Sequence, residues 1–540
     1  MKKHIFITLS LILLYAIVIT SCGDGGVSLN PGVTPTQTEI EATPTIIFIT
    51  PTSAPSGNPV PPRQNYDTGN PQLTDIWVDP KNGKDDESYG YNPGTPLKSL
   101  TAAWDRIPAK TTLPYTGYRI QLMAGSYDPN TVTDFLELRY GTYNNPVIIQ
   151  AAGGYGTVTI PEITVSDCSY VYLIDLIIES RQRSTLSVEG CNNILIRNCK
   201  LNGKQTGEEA LRAYQSQYIY IEDSDISGAL YNSLECDTLQ YGHITGNRIY
   251  DGNGWCMSVK GGSAYLIIEG NELYQSTSGG FTAGQYSALD YMVSPWLHYE
   301  VYDIKFINNI IHDTQGPGMS VSGGYNILMS YNTLERVGRN SSLIEVIHGS
   351  RRCDANPSVC QGKLVLGGWG TDIQGTNITA IPDRNIFIYN NIVYNQSGYE
   401  SAFSHFAIDG PVIPPSGSNI PSPSLADFNV QIRGNIIWNG TADMPLGVED
   451  PGSGGQPDNP SCNAAQLTNE NSINKVEPQL SNFKPVPEGN IYTVKTYQTP
   501  DFTWSDAPVT PPVPAGTNGN SVNRNYEGTV RIPPDHPGAF

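Results

Sequence analysis

The 540-residue sequence predicts an all-β solenoid, a parallel β-helix with a short N-terminal capping helix, and three observations carry that prediction. A short β-branched or aromatic run closing on asparagine recurs along the middle of the chain. Where no insertion interrupts it, the period is in the low twenties. The one good amphipathic helix of the sequence precedes the first copies, where an open solenoid end needs a lid.

The N-terminus sets the compartment. Lys2 and Lys3 precede an apolar stretch from Ile5 to Ile19, too short to span a bilayer and placed as a signal peptide would be. It ends at Ile19-Thr20-Ser21-Cys22, which resembles a bacterial lipobox; the resemblance implies lipidation of Cys22 after cleavage and a lipid anchor on the outer face of the cell envelope, with an extracellular location as the alternative. Residues 23–72 are rich in Pro, Thr, Ser and Gly and read as a disordered tether. The organisation expected is therefore signal peptide 1–22, tether 23–72, β-helix with its cap 73–440, and a loop-rich closing segment 441–540. A net charge of −20, from 51 acidic and 31 basic residues, argues against nucleic acid as a partner. A monomer is expected.

The repeat appears as Asn193-Ile194-Leu195-Ile196-Arg197-Asn198 and then as runs ending on Asn247, Asn271, Asn309, Asn332, Asn391 and Asn435. Asn247 and Asn271 are 24 residues apart, and Asn309 and Asn332 are 23 apart. Such a period suits a coil of three short strands and three turns, stacked on the next coil at about 4.8 Å. The asparagines would then form a ladder, each amide bonding the next and satisfying the bent backbone at a corner. Leu97, Leu100, Trp104 and Ile107 fall on one face of the expected cap helix.

Of the nine cysteines, Cys353 and Cys360 bracket a short loop and are the first choice for a disulfide. Cys168/Cys191 and Cys236/Cys256 stand about one coil apart and read equally as stacked partners or as small buried side chains.

The segments Val78-Asp79-Pro80 to Asn92-Pro93-Gly94-Thr95-Pro96, near the start, and Tyr526 to Arg531 with Pro537 to Phe540, at the end, resemble the boundary signatures of bacterial right-handed parallel β-helix repeat proteins. The chain thus resembles the β-helix lipoproteins that look like polysaccharide (pectate) lyases. That resemblance implies a carbohydrate-active protein with a polysaccharide, expected to be anionic, as its partner. Glycoside hydrolysis and non-catalytic glycan binding on the same fold stand as alternatives.

Lys260, at a strand end before Gly261-Gly262, resembles the lysine base of β-helix pectate lyases, which would take the C5 proton of a uronate. Such a lyase needs a cation to neutralise the sugar carboxylate, and calcium is the cofactor expected, with Glu235, Asp237, Asp223 and Asp225 as its ligands. The insertion from Ser287 to Tyr302 is expected to project as a loop carrying Tyr291, Trp296, His298 and Tyr299, a sugar-binding wall to which Trp255 would add. Of these, His298 joins the catalytic set, with Glu345, His348 and Arg351 a few coils later, Arg351 as a clamp for an anionic group. Paired aspartates of the kind polygalacturonases carry are missing from the repeat region, which places hydrolysis below elimination.

Overall fold

The computed structural model describes residues 59–540 apart from 355, 368, 370–378, 412–426, 441–443, 449–458, 506–511 and 533–534. The expected signal peptide, Cys22 and most of the expected tether lie outside the described residues.

Each full coil contributes three short strands that pair in parallel with their counterparts in neighbouring coils, giving three faces. Face A runs from Leu73–Val78 through Asn192–Arg197, Ser263–Glu269, Val301–Ile307 and Gly324–Ser330 to Phe428–Arg433. Face B runs from Phe135–Glu137 through Leu186–Glu189, Trp255–Lys260 and Ile344–Ile347 to Phe406–Ile408. Face C runs from Gly125–Ser126 to Ser472–Ile473. Two of the longest strands, Leu211–Glu222 and Leu234–Thr245, turn the corner from face B to face A without a break.

Alternation along face B separates core from surface. Val188, Ala213, Cys236, Val259, Ala283, Val321, Val346 and Ile408 lie in register, coil upon coil, all pointing inward and all buried. The residues flanking them point outward and are mostly polar, as a two-residue period requires. Cys168, Cys191, Cys236 and Cys256 are free and buried, so they serve as small apolar side chains. Cys353 and Cys360 are bonded, with Cα atoms 6.1 Å apart; helix α2 (Pro357–Val365) fills what reads as a bare loop in the sequence.

The asparagine ladder forms as expected. Backbone N–H groups of Asn247, Asn271, Asn309, Asn332 and Asn391 donate to the side-chain oxygen of the next rung at 2.8 to 3.0 Å. Each amide also donates to a main-chain carbonyl, as Asn332 does to Phe306 at 3.0 Å. The residue before each rung has a left-handed backbone, which is why Gly246, Gly270 and Gly434 stand there, alternating with Asn308, Tyr331 and Asn390. Asn435 donates in turn to Asn471, which follows helix α3 (Ala464–Glu470). The helix therefore continues past the boundary expected at 440, and Ser472–Ile473 adds a last strand to face C.

Both ends are closed. Helix α1 (Leu100–Asp105) starts at Ser99, whose hydroxyl accepts from Ala102 N at 3.0 Å, and Leu97, Leu100, Trp104 and Ile107 are buried against the first coils. Residues 59–72, the last part of the expected tether, pack on face A. Tyr66 stacks on Tyr220 at 4.3 Å, Arg63 pairs with Asp223 at 2.9 Å, and Val60 N donates to Ser521 O. The C-terminal segment covers the same face further along, with Phe502 against Phe387 and Lys305 Nζ bonded to Thr517 and Gly519. This explains the apolar outward residues of face A, such as Tyr172, Leu195 and Leu328, which are fully buried.

Candidate active site

A group of acidic and basic outward residues of face B lies in three successive coils. Arg212 pairs in register with Glu235 and Glu235 with Ser258; one position over, Tyr214 pairs with Asp237 and Asp237 with Lys260. Lys260 Nζ lies 3.4 Å from Glu235 Oε2, and Arg212 Nε lies 4.0 Å from Glu235 Oε1. Asn232 completes the carboxylate's shell with a 2.8 Å bond to Oε2. The cluster is recessed, the Glu235 and Lys260 side chains keeping 11% and 17% of their exposure.

Burial and charge act against each other here. Burial would raise Glu235, but Lys260 and Arg212 hold its carboxyl below the usual range. Asp237 is raised, by burial first and by the neighbouring Glu235 second, against the pull of Lys260. Burial works against the Lys260 ammonium, yet Glu235 and Asp237 outweigh it and leave the lysine above its ordinary value. Glu209, bonded to Ser184 at 2.7 Å, is pushed up to about 7 by burial and by Glu235. At neutral pH the centre therefore holds two cations, the ionised Glu235, and carboxyls at Asp237 and Glu209 that keep protons unusually well.

Gly261 and Gly262, with φ of +70° and +84°, are closely packed by their neighbours. A Cβ on Gly261 would meet the Asp237 carboxylate, and one on Gly262 would meet the Trp296 carbonyl. The Ser287–Tyr302 insertion is not a projecting wall. Trp296, His298 and Tyr299 are buried with Tyr302, Tyr325 and Trp369 in an aromatic cluster, and burial drives the His298 imidazole down to about 4. Trp255 is also buried, with its ring over Gly279. Of the expected wall, Tyr291 alone stays open, 43% exposed and edge-on to Tyr214 at 6.3 Å.

Arg351 is no clamp. It is fully buried and pairs with Glu300 Oε1 at 2.6 Å, while Glu300 Oε2 accepts from Ser287 at 2.6 Å. Together they bind the insertion to Gly349–Arg352, the strand alongside Tyr286–Ala288. Glu345 and His348 are on face B but distant. From Glu235 the register runs through Ser258, Thr282 and Ser320 to Glu345, four coil steps or roughly 19 Å.

The four acidic residues expected to hold calcium are divided. Asp223 is at the corner after face A, tied to Arg63 at 2.9 Å. Asp225 is on face C, tied to Arg248 at 3.2 Å. Glu235 and Asp237 are on face B with Lys260 between coils, so the set does not fit one calcium ion. Among the described residues the metal-capable group that does come together is Asp290 with Cys353 and Cys360, and those sulfurs are spent in the disulfide.

Sequence reading missed Arg212, Tyr214 and Glu209. The signal was present: Arg212, Glu235 and Ser258 follow one another at 23-residue steps, so writing the coils in register would have aligned them.

A family model described as the right-handed β-helix region matches residues 184–359. The chain is a right-handed parallel β-helix. No curated protein matches it. Among solved structures, the β-helix is similar to pectate lyase Pel9A at 12% identity and a TM-score of 0.42, covering 84% of this chain and 97% of that one. It is similar to the A-module of mannuronan C-5 epimerase AlgE4 of Azotobacter vinelandii at 13% identity and a TM-score of 0.38, covering 66% and 91%. It is also similar to PfbA, a surface adhesin of Streptococcus pneumoniae, at 11% identity and a TM-score of 0.31, covering 45% and 78%.

Proposed function

We propose that this β-helix, exported and anchored through Cys22, cleaves an acidic polysaccharide by β-elimination at the Arg212–Glu235–Asp237–Lys260 centre. The observation that carries the reading is the pair of cations, Arg212 and Lys260, flanking carboxylates in neighbouring coils of one outward face. A uronate carboxylate arriving there meets charge that is already paid for by desolvation, and its neutralisation acidifies the adjacent C5 proton. Lys260 thereby takes the task the sequence reading gave to calcium. An ammonium held above its ordinary value by Glu235 and Asp237 is a poor base.

The base falls to Asp237. A carboxylate whose environment raises its proton affinity is the stronger base once ionised. Asp237 takes the C5 proton, the C–H electron pair forms the C4–C5 double bond, the C4–O bond breaks, and water protonates the leaving sugar oxygen. Tyr214 and Tyr291 border the centre as ring surfaces for the sugar.

The test is incubation with polygalacturonate, rhamnogalacturonan and alginate, read by the ultraviolet absorbance of unsaturated sugar. The wild type should release it, and Asp237→Asn should lower the rate by about 10²–10⁴-fold. Absence of unsaturated product from all three would leave a binding protein or a hydrolase instead.

A further inference from the structure

Beyond the Lys260 centre, and independent of it, the outward side of face B carries a second group of residues in its last coils. Glu345 stands in register between Ser320 and Ala407. Asp409 follows two residues after Ala407, and its N–H donates to Val346 O, so it continues the same face one coil on. The two backbone positions are thus one coil and two residues apart, roughly 8 Å, a spacing from which the carboxyls can flank a glycosidic bond and a water.

His348 fixes the second carboxylate. Asp409 Oδ2 accepts from His348 N at 2.9 Å and lies 3.0 Å from His348 Nδ1. The imidazole's other nitrogen, Nε2, faces Asp427 Oδ1 at 3.6 Å, is buried and makes no hydrogen bond among the described residues. Asp427 Oδ2 is buried and equally without a hydrogen-bond partner there. Burial works against the charged imidazole, but Asp409 and Asp427 outweigh it and raise His348 above its ordinary value. Glu345 has the opposite surroundings: burial, and less so the charge of Asp409, push it up to about 7. No arginine or lysine is paired with Glu345 or Asp409 among the described residues, in contrast to Glu235.

From these contacts we infer that Glu345 and Asp409 form a second, hydrolytic centre for the glycosidic bond of an uncharged sugar, with His348 as the residue that positions Asp409. Asp409 takes a proton from water as the water oxygen bonds the anomeric carbon. The bond from that carbon to the bridging oxygen breaks, and Glu345 protonates the oxygen, so one water is consumed per bond. Burial suits Glu345 to hold the proton it gives, and Asp409 is fixed beside it by two contacts with His348, the pair of carboxyls on one surface that acid–base hydrolysis needs. The centre is three coil steps, roughly 14 Å, beyond Lys260 along the same face.

The test uses the Asp237→Asn chain, in which elimination should be disabled, with 4-nitrophenyl glycosides of glucose, galactose, mannose, rhamnose and N-acetylglucosamine and with rhamnogalacturonan. Nitrophenol or saturated reducing ends should appear, with no unsaturated sugar. Glu345→Gln and Asp409→Asn should each lower the rate by 100-fold or more with unchanged far-ultraviolet dichroism. Azide should restore turnover to Asp409→Gly, which a merely structural carboxylate would not allow. His348→Asn should lower kcat with KM little changed, as expected of a residue that orients Asp409 and does not bind the sugar. Failure of every probe in the Asp237→Asn chain, or rates in Glu345→Gln and Asp409→Asn within threefold of it, would overturn the inference. Loss of unsaturated product alone would overturn only the lyase reading.

Discussion

Replacing Arg351 separates a ligand clamp from a structural ion pair. Arg351 and Glu300 are both fully buried, 2.6 Å apart, and Glu300 has Ser287 as its other partner. Removing one member of such a pair strands a charge away from water, which costs about 3–5 kcal/mol, a large share of ordinary domain stability. Arg351→Met should therefore lower the unfolding free energy by about that amount, and Glu300→Gln by somewhat less, since the amide can still accept from Ser287. The double variant should recover much of the loss, because no unpaired charge remains. Urea unfolding followed by circular dichroism measures all four proteins, with attention to whether the long solenoid unfolds in one step. An Arg351→Met protein within 0.5 kcal/mol of wild type would refute the buried-pair account and return Arg351 to the ligand.

Three further expectations follow from the same contacts. Asn332→Ala removes the acceptor for Asn309 N and the donor to Phe306 O, leaving two buried main-chain groups unpaired; it should cost about 2–4 kcal/mol by the same urea measurement, whereas alanine at the exposed Asn253 should cost almost nothing. Glu345 has a folded-state pKa of about 7 against an ordinary 4.5, so folding binds its proton more tightly. The stability this contributes is complete below pH ~4.5 and disappears as pH rises through 7, by at most about 3 kcal/mol; melting temperatures of Glu345→Gln should show a flatter profile across that window. Lys260→Met leaves Glu235 without its nearest cation, so turnover of an acidic polymer should fall by 10²-fold or more, while a chelator added to the wild type should leave turnover unchanged.

The repeat was legible because its cause is local and periodic. A corner that bends the backbone into the left-handed region favours Gly or Asn, with Tyr331 the exception, and the next residue must pair its N–H. Asn271, Asn309 and Asn332 therefore advertise themselves in one dimension. The cap helix and the Cys353–Cys360 bond are equally short-range. Part of the site was legible for the same reason, since Glu235, Asp237 and Lys260 are separated by one coil and strand alternation turns them outward together.

What tertiary structure decided was which side of the molecule each insertion covers. Trp296, His298, Tyr299 and Arg351 have the composition of a binding loop, and nothing in their order says that Trp369 and Tyr325 bury them. The split of Asp223 and Asp225 from Glu235 and Asp237 is also a matter of faces, which the coil register sets by pairing Asp225 with Arg248 on face C and Glu235 with Arg212 on face B. By itself the sequence determined the coil, its ladder and the cluster of charge around Lys260, because hydrogen-bond demand and alternation repeat every coil. The roles of those charges were decided only in the fold, because a proton's affinity depends on burial and on neighbours that arrive from distant coils.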